Sequence, residues 1–172
     1  MLRPATPADA DDIRRWRNHD DVRAVSLSTH EIAPDEHAAW FASVLADPSR
    51  HVLVYEHDGR ASGVVTFADS GGGGAYWGYF LDVDGLAARD ETLPAWLRIG
   101  PEAVDYAFDV LGFNVLTGDV LADNVAVRRM NRRAGFTETD TRTVRRESDT
   151  VECWSIVLHR ADRKPRREAG TN

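Results

Sequence analysis

The spacing of apolar positions changes period several times along the chain, and each change marks an element. Residues 2–5 predict a short strand, after which Thr6 caps a helix with Pro7 in its first position, where a missing N–H costs nothing. Asp9, Asp11 and Asp12 fill the first turn of that helix and Arg14, Arg15 and Arg17 the last, the order that suits the helix dipole. Residues 20–25 predict a further helical turn. Pro34–Ala46 carries Ala38, Phe41, Val44 and Leu45 at near-3.6 spacing, and Pro48 ends it. From residue 51 the period becomes two. Strands are predicted over 51–55 and 61–67 about a tight Asp58–Gly59 turn, then a flexible loop over 70–74 and a third strand over 76–83. Helical spacing returns over 102–111, closed by Gly112. Residues 114–121 read as a strand, Asp123 and Asn124 as the cap of a helix over Val125–Ala134, and Gly135 as its stop. A last hairpin, 136–146 with 151–159, turns around Ser148 and Asp149.

This order predicts one α/β domain on a mixed, mostly antiparallel sheet of about six to seven strands flanked by helices. The helix–strand–helix stretch in the second half is its crossover unit. The domain is expected over residues 1–159, with 160–172 a basic, disordered tail. No internal repeat is present.

Composition narrows the class. The chain has 172 residues, 42% apolar and 28% charged, values of a folded single domain. Its net charge of −7 is unevenly spread. Residues 160–172 hold five basic side chains against two acidic, +3, so residues 1–159 hold 16 against 26, −10. A body that acidic does not suit nucleic acid, whose phosphates need a basic face. No apolar run approaches the roughly 20 residues of a membrane span, and no basic-then-apolar signal opens the chain. The single cysteine, Cys153, excludes an internal disulfide framework and fits a reducing cytoplasm, the expected location. Six histidines without metal-ligand spacing give no reason to expect a metal.

Candidate chemistry concentrates in the second half. Gly100–Pro101 opens the predicted helix after a strand and a loop, where free backbone N–H groups and the positive dipole end can cradle a pyrophosphate. Asn124 begins another helix directly after the next strand, where its side chain could bond an amide-bearing ligand between the two strands. Singly, these are common punctuation; their joint order and spacing, through Leu111–Gly112–Phe113 to Gly135–Phe136, carry more weight. Alternation puts Tyr76, Gly78 and Phe80 on one face of their strand and Trp77 and Tyr79 on the other. The glycines at 71–74 lack a GxGxxG fingerprint, and no hydrolase or kinase motif occurs.

The arrangement resembles the GNAT superfamily of acyl-CoA-dependent N-acetyltransferases over residues 2–159. The resemblance implies acetyl-CoA as cosubstrate, held by Leu81 and Val83 on the preceding strand, by Arg98, Ile99 and Gly100 around the loop and helix, and by Asn124 and Arg128. Arg128 and Arg132 follow Asn124 at four-residue steps, which would let them meet the 3′-phosphate of CoA. The family pattern Gln/Arg-x-x-Gly-x-Gly/Ala is met incompletely: aligned on Gly100, Ala95 and Arg98 stand at its key positions, with Pro94 and Trp96 in the loop. Many members carry a Tyr that protonates the leaving thiolate, and the matching residue here is Asn131, which leaves another group such as Tyr76 or Tyr79, or water, in that role.

Trp16–Arg17–Asn18, Arg23 and His37-x-x-Trp40–Phe41 look like the amino-sugar branch of that superfamily, with Trp16, Trp40 and Phe41 serving the core. The resemblance implies a nucleotide-linked amino sugar as acceptor, bound through Arg17, Arg23, His37 and Tyr79. The expected reaction is direct attack of a neutral primary amine on the thioester, with a backbone N–H around Leu81 meeting the developing charge. Asp82 is the nearest carboxylate by sequence for the base, with Asp119 its rival. Two other readings stay open, an acetyltransferase of protein N-terminal amines and a degenerate domain that binds CoA or a partner without turnover. A monomer or homodimer is expected.

Overall fold

The computed structural model describes residues 1–146 and 149–163. Seven strands form one sheet in the order β1-β2-β3-β4-β5-β7-β6. In chain order the elements are β1 (Leu2–Pro4), α1 (Ala10–Arg17), α2 (Asp20–Ala24), α3 (Pro34–Ala46), β2 (Arg50–His57), β3 (Arg60–Gly71) and β4 (Gly74–Leu81). There follow α4 (Val83–Ala87), α5 (Thr92–Asp109), β5 (Val115–Leu121), α6 (Val125–Ala134), β6 (Thr137–Arg146) and β7 (Asp149–His159). Every strand pair is antiparallel except β4 with β5, the pair that α4 and α5 connect as a crossover.

Both faces of the central strands are covered, which is why β2 and β3 read as nearly continuous apolar runs. Leu53, Tyr55, Val65, Phe67, Ala75 and Trp77 face α5, where Ala95, Ile99, Ala103, Ala107 and Phe108 complete one core. Val52, Val54 and Val64 face α1 and α3, packed on Ile13, Trp16, Phe41 and Val44. Trp16 and Phe41 are thus core, as the pattern predicts, while Trp40 is only partly buried.

Several boundaries differ from the sequence reading. The glycine run expected as a flexible loop is a tight turn, with Gly71, Gly72 and Gly73 all at positive φ, which glycine adopts without strain. The third strand ends at Leu81, because the Asp82 carboxylate accepts the Gly85 N–H at 3.1 Å and caps α4. Arg160–Asp162, assigned to the tail, form a 3-10 turn, and Arg163 pairs with Asp105 and Asp109 on α5 at 2.7 Å each. The rest of the expected tail, from Lys164, and the turn residue Ser148 lie outside the described residues.

The largest difference is α5, which starts at Thr92 rather than after Pro101. Pro94 sits in the first turn, where N–H groups have no intrahelical acceptor anyway. Pro101 lies inside the helix and leaves the Leu97 carbonyl without its i+4 donor. Gly100 makes this possible, since without a Cβ it escapes the clash that keeps most residues before proline out of the helical region. The helix survives because its buried face is long and well packed. Pro101→Ala restores the bond and is expected to stabilise the protein by about 2 kcal/mol, read as a higher melting temperature. An unchanged or lower value would mean that the proline is not a strained position.

Candidate functional site

Two cavities meet on β4. The first opens where β4 and β5 part. Their ladder has only three rungs, Gly74↔Val115, Ala75↔Leu116 and Tyr76↔Thr117, after which the strands splay. Asp82 donates its N–H to Ser62 on the β3 side, so by alternation the backbone groups of Tyr79 and Leu81 point to the opposite edge, beyond the last rung with β5. The cleft so formed encloses about 350 Å³, walled by Trp77 and Leu81 of β4, Gly118 and Val120 of β5, and Val127 of α6. Thr92 at the start of α5 and Asn124 at the start of α6 also line it.

The second cavity, about 380 Å³, lies on the α1 and α3 side of the sheet. Arg17, His37 and Trp40 line it against Gly78, Tyr79 and Phe80, the three β4 residues that also line the cleft. Two of its lining side chains carry a buried nitrogen without a hydrogen-bond partner, Nη1 of Arg17 and Nε2 of His37. Arg17 Nη2 donates to the Ser28 carbonyl at 2.9 Å, which fixes the aim of the guanidinium. Burial, and then the nearby Arg23 charge, lower the Arg17 pKa without neutralising an arginine. His37 is 4% exposed and stacks on Phe41 with ring centroids 5.7 Å apart. Burial, and to a lesser degree Arg14, push its pKa below the usual histidine value, while Asp11 pulls the other way.

The remaining expected site residues fall into two groups. Leu81, Val83 and Asn124 are brought to the cleft. Asn124 uses its side-chain oxygen to accept the Val127 N–H at 3.2 Å, so it caps α6 and keeps its amide N–H₂ for a ligand. Tyr79 lines both cavities and the neighbouring groove between α5 and α6, where Trp96 and Asn131 also lie. Burial lifts its hydroxyl pKa to about 12, with the Trp96 indole acting against the shift.

The others are held elsewhere. Because α5 begins at Thr92, Gly100, Ile99 and Arg98 offer no first-turn N–H groups: Ile99 is fully buried core, Gly100 lines the α5–α6 groove, and Arg98 reaches Asp58 at 3.5 Å. Arg128 is bound to both oxygens of Glu138, at 2.8 and 3.0 Å, and to the Ala122 carbonyl, bracing α6 on β6 rather than facing a phosphate. Arg23 donates to the Thr29 carbonyl at 2.9 Å and braces the loop before α3. Asp82 is a cap. Asp119 accepts from Tyr76 at 2.9 Å, from Ser155 at 3.0 Å and from Arg142; burial would raise its pKa, but these partners hold it below the usual carboxylate value. Tyr76 is thereby tied up as well, its pKa pushed to about 12 by burial and by Asp119.

Sequence reasoning missed the start of α5. The signal was present in Thr92-Leu93-Pro94, a helix opening with proline in the first turn, but Pro101 outweighed it as a breaker. Thr92 and Leu93 therefore supply the free first-turn N–H groups, and no side chain caps them. Glu91 beside them is neutralised by Arg89 at 2.7 Å.

Among the described residues no helix is long and apolar enough to cross a membrane, and no group of three His, Cys, Asp or Glu side chains could hold a metal. Residues 1–137 match the family model described as acetyltransferase (GNAT) domain. No curated protein sequence matches the chain significantly. Among solved structures, a spermidine N-acetyltransferase from Vibrio cholerae in complex with CoA and spermine superposes with a TM-score of 0.80 at 15% identity, covering 94% of this chain and 96% of that one. The yncA protein of Salmonella typhimurium, solved with its cofactor acetyl-CoA, gives 0.72 at 20% identity over 99% and 98%. A ribosomal-protein-alanine N-acetyltransferase from Brucella melitensis gives 0.68 at 17% identity over 92% and 99%.

Proposed function

The chain belongs to the GNAT acetyltransferase family, and from that premise we propose that it moves the acetyl group of acetyl-CoA onto the primary amine of a small acceptor that also carries an oxyanion. A nucleotide-linked amino sugar is the acceptor proposed, being an amine and an anion at once. The observation that carries this reading is that a cleft and a second cavity share Gly78, Tyr79 and Phe80 of β4. A thioester entering from one side and an amine from the other would meet there, and positioning of that kind is the main source of rate in acyl transfer between two bound molecules.

The cleft suits the acyl-carrying arm. An amide-bearing chain can complete the interrupted ladder on the free edge of β4, and the open first turn of α5 can take a phosphate at the cleft's rim. Bound acetyl-CoA supplies the activated acetyl group. Around it, the N–H of Tyr79 or Leu81 is directed to where negative charge grows on the thioester oxygen. Tyr79 keeps its proton throughout the neutral range, its pKa standing near 12. It therefore serves as donor to the departing sulfur, in place of the tyrosine that Asn131 replaces.

Arg17 narrows the acceptor. A buried guanidinium with an unpartnered N–H disfavours a polycation such as the spermidine named for the Vibrio cholerae protein. It suits a carboxylate or a phosphate. Thiol release from acetyl-CoA with a panel of UDP- and TDP-linked amino sugars, amino acids and polyamines tests the reading. Turnover with anionic amines alone is expected, and turnover with polyamines alone would overturn the acceptor class. Arg17→Ala is expected to raise the KM of the accepted amine roughly 10- to 100-fold with a smaller effect on kcat, the size of one lost charge-assisted bond.

A further inference from the structure

Amine acylation needs a proton acceptor, because at neutral pH most primary amines are ammonium ions and have no lone pair. Both carboxylates nearest in sequence are occupied. Asp82 caps α4, and Asp119 lies in a network with Tyr76, Ser155 and Arg142 that favours its charged form and engages its oxygens. Glu36, which lines the acceptor cavity, is bound to His30 at 2.8 Å and is half exposed. Asp21, on the cleft wall, has an 80% exposed side chain.

We infer that His37 is the general base of the reaction. It lines the acceptor cavity opposite Gly78, Tyr79 and Phe80, and its Nε2 is buried and has no partner. Of the groups that line this cavity and keep a polar atom unengaged, Arg17 is a fixed cation, whereas an imidazole can accept a proton. Stacking on Phe41 and the tilted contact with Trp40, at 5.3 Å, hold the ring in place from its own helix. The charged groups around it are Asp11, Arg14 and Arg17 of α1, Glu36 of α3, and His30 of the preceding loop; β4 contributes the neutral Tyr79. Burial and Arg14 outweigh Asp11, which favours the neutral ring, the form able to act as a base.

The step balances simply. The acceptor ammonium gives one proton to Nε2 and the freed lone pair forms the C–N bond to the thioester carbonyl. The C–S bond breaks with its electron pair on sulfur, which takes the Tyr79 hydroxyl proton, and the second amine proton restores that hydroxyl. The proton on His37 then returns to solvent. Arg17, which lines the same cavity, holds the acceptor's anionic end.

This assignment rests on the acetyl-transfer reading, and two measurements keep their failures apart. Nitrogen-15 NMR of the histidines in the full chain, with His37→Gln to assign the resonance, needs no acceptor. The expected result is a neutral ring at pH 7 with the proton on Nδ1 and a bare Nε2. A ring charged at pH 7, or one protonated on Nε2, would overturn the proposal even if acetylation is found. Kinetics with a UDP-linked 4-amino sugar supply the second arm. His37→Gln is expected to lower kcat about 10²- to 10³-fold with little change in KM, and to remove the acidic limb of the kcat/KM profile below pH 6.5. Imidazole added to His37→Gly should restore part of the rate. A rise in KM alone, with the limb intact and no rescue, would show that His37 only binds.

Discussion

Replacing Gly78 by leucine is expected to reduce kcat/KM for the amine more than 100-fold while acetyl-CoA binds within about threefold of its normal affinity. Position 78 shares strand parity with Phe80, so a side chain there projects towards α1 and α3, into the acceptor cavity. A Cβ would find only the Thr66 hydroxyl, at 3.9 Å, so the strand tolerates the change without shifting. The added isobutyl group would occupy the space in which amine and thioester converge, and a displacement of about an ångström at that point already costs on the order of 10²-fold. Trp77 and Leu81, on the opposite face of the strand, would keep the width of the cleft. Steady-state kinetics beside calorimetry with acetyl-CoA decide the matter. Turnover within tenfold of the parent protein would mean that the reacting centres do not meet at Gly78.

The largest effect on stability is expected at Trp77. Its ring lies between Phe136, stacked at 5.1 Å with 13° between planes, and Phe67, at 6.5 Å and 16°. The stack joins β3, β4 and the segment after α6 across the place where the sheet is least continuous. Trp77 is 5% exposed, and its removal leaves a void that helix and strands cannot close without shifting. Trp77→Ala should cost about 3–5 kcal/mol in urea unfolding. Trp77→Phe should cost distinctly less, because the indole N–H has no partner to lose and most of the stacked area is kept. If the two variants proved equally unstable, the stack would not be the source of the stability.

The parts of the fold that follow from periodicity were legible in the residues. The apolar run Val52, Leu53, Val54 and Tyr55 before the Asp58–Gly59 turn and the helical spacing of Pro34–Ala46 each point to one structure, and the seven-stranded sheet confirms them. Reading failed where a local rule met a tertiary compensation. Pro101 should end a helix, yet a glycine before it and a fully buried face through Ile99, Ala103 and Phe108 carry α5 across. The same limit governs the arginines. Spacing alone puts Arg128 on the side of Asn124, but the bidentate hold of Glu138, ten residues on, is a pairing that only the folded chain creates. Arg17 and Arg23 are alike in sequence; the Ser28 carbonyl engages Nη2 of Arg17 and leaves its buried Nη1 without a partner, while Arg23 is spent on the loop. Which polar atoms are engaged is decided by partners distant in the chain, and spacing in a sequence does not display them.

The three-rung junction of β4 and β5 also has a thermodynamic meaning. Strands β1 to β4 form one antiparallel unit and β5 to β7 another, and little backbone bonding joins them directly. A ligand that bonds to the free edge of β4 while resting against β5 becomes a strand of the sheet, supplied from solution. Were acetyl-CoA to bind in this proposed way, occupancy and cohesion of the two halves would be linked, and the free cosubstrate concentration would set how firmly the molecule holds together.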